Sequence, residues 1–273
     1  MARARHNLPG LLRVARSGQV RLRDRDARRT LGWEESRARA ELARLGPELA
    51  EMQYKMYADG RFGVLVVLQA VDSGGKDSTI RHVFAAFNPQ GCTVRAFKPP
   101  SAEEQRHDYL WRVHQHVPAR GEIVVFNRSH YEEVLIARVD RLVPRQVWQA
   151  RYAQINDFER MLRHCDIQVV KIFLHLSKDE QRRRLEERIH ERRKQWKFEP
   201  GDLLKRRQWR AYQAAFTDML ERCNTTHAPW YVVPADHKWL RDLAVAQILR
   251  HTLRSLPLRF PPPRFDPRRQ RVR

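Results

Sequence analysis

Three side chains suited to handling phosphate stand close together in the segment VDSGGKDS (71–78): Asp72, Lys76 and Asp77. Gly74 and Gly75 let backbone N–H groups approach an anion, and Lys76 adds a point charge beside them. The run VLVVLQ (64–69) leads into this turn and reads as a buried strand. From Ser78 onward the chain reads as a helix, whose N-terminal dipole favours negative charge. A strand, a glycine turn, a lysine and a helix N-terminus together make a phosphate cradle, so polyphosphate groups are the first ligand class to consider.

The turn departs from the pattern G-x-x-x-x-G-K-[ST] at two positions, with Ala70 in place of the first glycine and Asp77 in place of the hydroxyl residue. A carboxylate beside phosphate oxygens is repulsive unless a hard cation lies between them. Asp72 and Asp77 are therefore candidate ligands of Mg²⁺, or of Mn²⁺ in its place. A purely structural alternative stays open, in which Asp77 caps a helix beginning at Ser78 and Asp72 stabilises a turn.

The chain has 273 residues, enough for one substantial α/β core with appendages. Its 53 Lys and Arg against 32 Asp and Glu leave a net charge of +21, which points to a polyanionic partner: nucleic acid, an anionic membrane or inorganic polyphosphate. Cys92, Cys165 and Cys223 are odd in number and far apart, which argues against a disulfide framework and for a reducing compartment. No apolar run reaches bilayer-spanning length and none resembles a signal peptide, so the expectation is a cytoplasmic protein with no membrane partner. His114 and His116 lack cysteines at ligand spacing, and zinc is not expected.

Around the cradle, short β-branched runs alternate with helical segments. Strands are predicted at Val64–Gln69, Cys92–Phe97, Glu122–Phe126, Gln168–Leu176 and Trp230–Pro234, an alternation that implies crossover units and a parallel sheet. Residues 1–59 read as a basic arm, irregular and solvated to about residue 33, followed by an amphipathic helix near Glu34–Met56 on which Leu42, Leu45, Leu49 and Met52 recur at helical spacing. Residues 60–256 form the core, and 257–273 a Pro/Arg-rich tail expected to be extended and mobile. A helical insertion at about 177–222 is placed as a lid, because Arg182–Arg210 holds twelve Lys or Arg against five acids. Arg184, Arg188 and Arg192 are spaced to lie along one helix face and close over phosphate, unless they form a solvated face paired with Glu187 and Glu191.

Five ordered blocks resemble the family-2 polyphosphate kinases: LQAVDSGGKDSTIRHVFAAFNPQG (68–91), FKPPSAEEQRHDYLWR (97–112), VFNRSHYEEVLIARV (125–139), WKFEPGD (196–202) and APWYVVPADHKW (228–239). The resemblance implies a three-layer α/β P-loop kinase fold, thymidylate-kinase-like, with a parallel sheet and helical lid. It also implies Mg²⁺-dependent transfer of the terminal phosphoryl group of inorganic polyphosphate to a nucleotide. By it, Asp72, Lys76, Asp77, Asn127 and Arg128 are central, joined by lid arginines. Some branches carry aspartate where Asn127 stands, and the FNRSHYE form is similar to the branch acting on nucleoside mono- and diphosphates, favouring AMP and ADP as acceptors. Family likeness further suggests a homo-oligomer such as a tetramer.

The full set nominated for substrate contact is Gly74, Gly75, Ser78, Arg81, Lys98, Tyr131, Glu132, Arg184, Arg188 and Arg192. Two other activities fit the cradle and charge: an ATP-dependent nucleotide kinase, and a basic P-loop protein that binds nucleic acid, although no recognition-helix or helicase-like signature supports the latter.

Overall fold

The computed structural model describes residues 7–15 and 20–271. Five strands, β1 (Gly63–Ala70), β2 (Cys92–Ala96), β3 (Ile123–Asn127), β4 (Ile167–His175) and β5 (Trp230–Pro234), form one sheet. Each lies within one residue of its predicted bounds at both ends. The order is β2-β3-β1-β4-β5 and every pairing is parallel. β1 is central, with Val66 opposite Val125 of β3 on one side and Val170 of β4 on the other. Successive side chains of a strand point to opposite faces, so burial of all eight residues of β1 means that both faces are covered.

The helices run, in chain order, α1 (Leu8–Leu12), α2 (Glu35–Asp59), α3 (Lys76–Val83), α4 (Trp111–His114), α5 (Ile136–Val139), α6 (Arg145–His164), α7 (Lys178–His190), α8 (Arg192–Gln195), α9 (Pro200–Arg207), α10 (Trp209–Arg222) and α11 (Lys238–Ser255). α6 and α11 both pack on β4, and α2 packs on α11. α11 is buried along Leu240–Leu249, as expected of a helix apolar on nearly every side. α2 turns Ala38, Leu45, Leu49 and Met56 inward and ends at Gly60, whose φ of 65° closes the helix in the left-handed region.

Both ends of the chain depart from the sequence expectation. In the arm, Leu8, Leu12, Val14, Val20 and Leu22 are buried, the Val14 N–H donates to the Trp230 carbonyl at 2.9 Å, and Arg13 bridges antiparallel to Tyr231. The arm therefore covers the β5 edge rather than lying in solvent. Its apolar residues are interleaved with arginines, and the charge masked them. The start of the tail is tied down as well. Arg61 Nη2 donates to the Pro257 carbonyl at 2.7 Å, the Arg259 N–H donates to Asp59 Oδ2 at 2.6 Å, and Phe260 lies 5.9 Å from the Tyr54 ring.

Between β4, α6 and α10 lies a fully buried ion pair. Lys171 Nζ is 2.6 Å from Glu159 Oε2 and also donates to Tyr131 Oη (2.9 Å) and to the Cys223 carbonyl (2.6 Å). Tyr131 Oη donates to Glu159 Oε1 at 2.7 Å. Burial opposes ionisation of Glu159, but the Lys171 charge and the His130 contact outweigh it and hold the carboxyl below its usual range. Removing one partner strands the other charge, so Lys171→Met should cost about 3–5 kcal/mol in urea denaturation. Adding Glu159→Leu should return a large part of that loss, and additive losses would count against the ion pair as the source.

Candidate active site

The carboxyl end of β1 is a topological switch point, because β3 flanks it on one side and β4 on the other. The phosphate loop emerges there. Gly74 admits no side chain, since a Cβ would lie 2.4 Å from Ala70 Cβ and 2.8 Å from the Val71 carbonyl oxygen. Gly75 has φ 101°, which turns the chain into α3. The helix begins at Lys76 and not at Ser78, so Asp77 lies inside its first turn and forms no cap. Ser78 Oγ donates to the Gly75 carbonyl at 3.0 Å.

Lys76 is buried and donates to the Ala70 carbonyl at 3.2 Å, folding its amine back over the loop. Burial first and the Arg128 charge second pull its ammonium below the ordinary value, while Asp72, Glu132 and Asp77 oppose that drop. Asp72 Oδ1 accepts from Arg128 Nη2 at 3.0 Å, and Oδ2 lies 3.4 Å from Lys205 Nζ. Burial works against Asp72 ionisation, but Lys76, Lys205 and Arg128 together hold the carboxyl below its usual range. Asp77 is exposed; its Oδ1 accepts from Asn127 Nδ2 at 2.7 Å and its Oδ2 is 3.8 Å from Lys197 Nζ.

β3 supplies the second half of the site. Leu68 of β1 pairs with Asn127, which sets Asn127 level with the start of the loop. Arg128 follows with φ 63°, a left-handed conformation uncommon for a side chain of this size, and its N–H donates to the Leu68 carbonyl at 3.3 Å. Glu132 stands in the next turn, where burial pushes its carboxyl up although Arg128 and Lys76 pull it down. Asp72, Arg128, Glu132, Gln181 and Lys205 line a cavity of ≈ 40 Å³ backed by Trp209, Tyr212 and Phe216. A larger cleft of ≈ 770 Å³ between residues 20–28 and α10 includes none of the loop side chains.

Asp72, Lys76, Asp77, Asn127, Arg128 and Glu132 thus converge, whereas other nominated residues take different positions. Tyr131 is buried and its hydroxyl is committed to Glu159 and Lys171, so it faces the interior and not a ligand. Arg81 is exposed on α3, and Lys98 is exposed beyond β2. The stripe of lid arginines does not form. α7 ends at His190, Glu191 is extended, and Arg192 starts the separate α8. Arg188 Nη1 is bound to Asp202 (3.1 Å) and the Lys197 carbonyl (3.3 Å). Arg184 is buried beneath the loop, donating to the Ser73 carbonyl at 3.1 Å and the Ala235 carbonyl at 2.6 Å. Two lid lysines, Lys197 and Lys205, reach the loop carboxylates instead, and Gln181 Nε2 donates to the Asp72 carbonyl at 3.1 Å. Within so dense a basic run, no periodicity distinguishes Lys197 or Lys205 from its neighbours.

Among the described residues, no group of three or more His, Cys, Asp or Glu side chains is arranged to hold a metal ion. Mg²⁺ bound with phosphate needs less, one or two carboxylates with phosphate oxygens and water completing the shell. Asp77, exposed and met by the Asn127 amide and, at 3.8 Å, by Lys197, fits that donor set, and Asp72 fits it where phosphate takes up its cations.

The family model for polyphosphate kinase 2 matches residues 32–259. The chain belongs to the polyphosphate kinase 2 family. It is 49% identical over 253 residues to an AMP/ADP-polyphosphate phosphotransferase of Meiothermus ruber, covering 92% of this chain and 95% of that protein. An ADP-polyphosphate phosphotransferase of Rhodopseudomonas palustris is 45% identical over 78% of each chain. The crystal structure of a polyphosphate kinase 2 from Arthrobacter aurescens superposes with a TM-score of 0.91 at 41% identity, covering 95% of this chain and 93% of that one. The three-layer α/β arrangement with its parallel sheet is therefore the polyphosphate kinase 2 fold.

The depressed Asp72 carboxyl gives a pH test. Its ionised form adds stability that is complete above the ordinary carboxylate value near pH ~4 and is lost as pH falls through the lower folded value. Asp72→Asn should therefore be less stable than the parent in urea at pH 7, and the gap should close as pH drops toward ~3. A gap independent of pH would show that Asp72 contributes through something other than its charge.

Proposed function

We propose that the protein transfers the terminal phosphoryl group of inorganic polyphosphate to a nucleotide, with AMP and ADP as the acceptors and Mg²⁺ as the metal. The observation that carries this reading is Lys76: buried at the head of α3, beside Arg128, and without a carboxylate within salt-bridge distance among the described residues. Cationic groups held this close together are stabilised by a phosphate chain, and the likeness to polyphosphate phosphotransferases supplies the chemical class of that chain.

Phosphoryl transfer needs donor and acceptor in line and positive charge around the migrating group. The loop amide of Gly75 and the amine of Lys76 grip the transferring phosphate, while the Gly74 N–H closes the turn by donating to the Val71 carbonyl at 3.0 Å. Arg128, held by its left-handed backbone and by Asp72, meets the charge that develops on the equatorial oxygens. Lys205 and Lys197 leave their carboxylates for the incoming polyanion, closing α8 and α9 over it. An AMP or ADP phosphate is already ionised, so the site needs no strong general base, consistent with the neutral amide at Asn127. Asp77, with Asp72, would hold Mg²⁺, which when bound would neutralise phosphate charge.

The deciding assay gives the purified protein polyphosphate as sole phosphoryl donor with Mg²⁺ and ADP or AMP. ATP should form from ADP, and ADP from AMP; no product from either rejects the reading. Lys76→Ala should lower turnover ~10²-fold or more while leaving the fold intact by circular dichroism. Asn127→Asp would place a second carboxylate 2.7 Å from Asp77 Oδ1, a repulsion that a divalent cation relieves. The Mg²⁺ concentration for half-maximal rate should therefore fall, and an unchanged Mg²⁺ titration would remove Asp77 from the metal site.

A further inference from the structure

Beneath the phosphate loop lies a guanidinium that the proposed chemistry does not use. Arg241 of α11 is fully buried, yet among the described residues neither its Nη1 nor its Nη2 makes a hydrogen bond. Its Nε donates to Asp242 Oδ1 at 2.8 Å, and Nη2 lies 2.7 Å from the same oxygen. The free Nη1 is pressed against Gly75: a Cβ at that position would lie 2.1 Å from it and 3.4 Å from Arg184 Nη1. Two like charges thus meet under one glycine of the loop. Asp242 in turn holds α3, accepting from Thr79 Oγ1 at 3.4 Å and lying 2.8 Å from His82 Nδ1.

A buried donor without an acceptor, beside a second cation, is unfavourable in the protein alone. The arrangement becomes favourable when an anion occupies the loop, because Gly75 has no side chain to stand between the guanidinium and the loop backbone. We infer that Arg241 is a positioning residue for the phosphate chain: it fixes the turn at Gly75 against α11 and supplies a permanent positive charge behind the loop, with Asp242 setting its orientation. This rests on the proposed use of the loop as the polyphosphate site. It also explains the glycine at 75 twice over, by the positive φ and by the guanidinium filling the space of a side chain.

The test is calorimetric titration of tripolyphosphate, in Mg²⁺ buffer, into the full chain and its Arg241→Met variant, with AMP as the control ligand. Loss of one charge-assisted support should weaken tripolyphosphate binding ~10-fold or more and leave AMP binding within about 2-fold. Arg241→Lys keeps the charge without the planar fork and should fall between, weakened about 3-fold. Unchanged tripolyphosphate affinity in Arg241→Met, or a parallel loss of AMP affinity, overturns the inference. Should Arg241→Met fail to fold, Arg241→Lys decides it, and parental tripolyphosphate affinity in that variant overturns it. Turnover of the parent with polyphosphate and ADP is read separately: tripolyphosphate binding without transfer rejects the proposed function and leaves the role of Arg241 standing.

Discussion

The rest of the site depends on one electrostatic constraint: several cations must be held close together at the end of β1. Lys76, Arg128 and Lys205 surround Asp72, and Arg184 and Arg241 lie behind the loop. Left to themselves such charges would drive the loop apart or lose protons; the Lys76 ammonium is lowered first by its burial and then by the Arg128 charge. Asp72 counters it directly, using one oxygen for Arg128 and the other for Lys205. The same carboxylate thus offsets the clustered cations and ties α9 to the loop through Lys205.

Rigidity comes from the sheet. β1 is hydrogen-bonded on both sides and buried on both faces, so the loop starts from a fixed point. On the β3 side, Gln69 Nε2 donates to Ser129 Oγ at 3.0 Å, and Ser129 Oγ accepts from the Tyr131 N–H at 3.1 Å. The Tyr131 hydroxyl ends in the Lys171–Glu159 pair. A continuous chain of polar contacts therefore runs from the last turn of β1, past Arg128, into the core. On the other side, Arg184 and Arg241 connect the loop to the ends of β5 and α11.

The strands were legible because parallel strands buried on both faces read as uninterrupted apolar runs, which local residue types mark well. The loop was legible because glycine, lysine and aspartate at close spacing have few other uses. The arm was misread for the opposite reason: Leu8, Leu12, Val14 and Leu22 sit singly among arginines, and a segment that covers a strand edge without forming a long element has no periodicity to detect. Spacing of four residues placed Arg184, Arg188 and Arg192 on one face only while the helix continued, and it stops at His190. Tyr131 shows a different limit. Its position between Arg128 and Glu132 in sequence suggests the ligand side, but a tight turn sends adjacent side chains in opposite directions, and the buried Lys171, forty residues away in the chain, reveals which way it points.

The lid is where the two halves of the charge problem meet. Lys197 and Lys205 pair at 3.8 and 3.4 Å with carboxylates that are exposed or only partly buried, contacts that hold weakly in solvent. Arg184 and Arg188, by contrast, are bound to backbone carbonyls, Glu180 and Asp202. Within the basic run, Arg184 and Arg188, with planar forks able to satisfy several acceptors at once, fix the insertion to the framework, whereas Lys197 and Lys205, single mobile point charges, pair with the loop carboxylates. On the function proposed above, a polyanion entering the site would compete for Lys197 and Lys205 and leave Arg184 and Arg188 bound, so that the framework positioning Lys76 and Arg128 would stay intact.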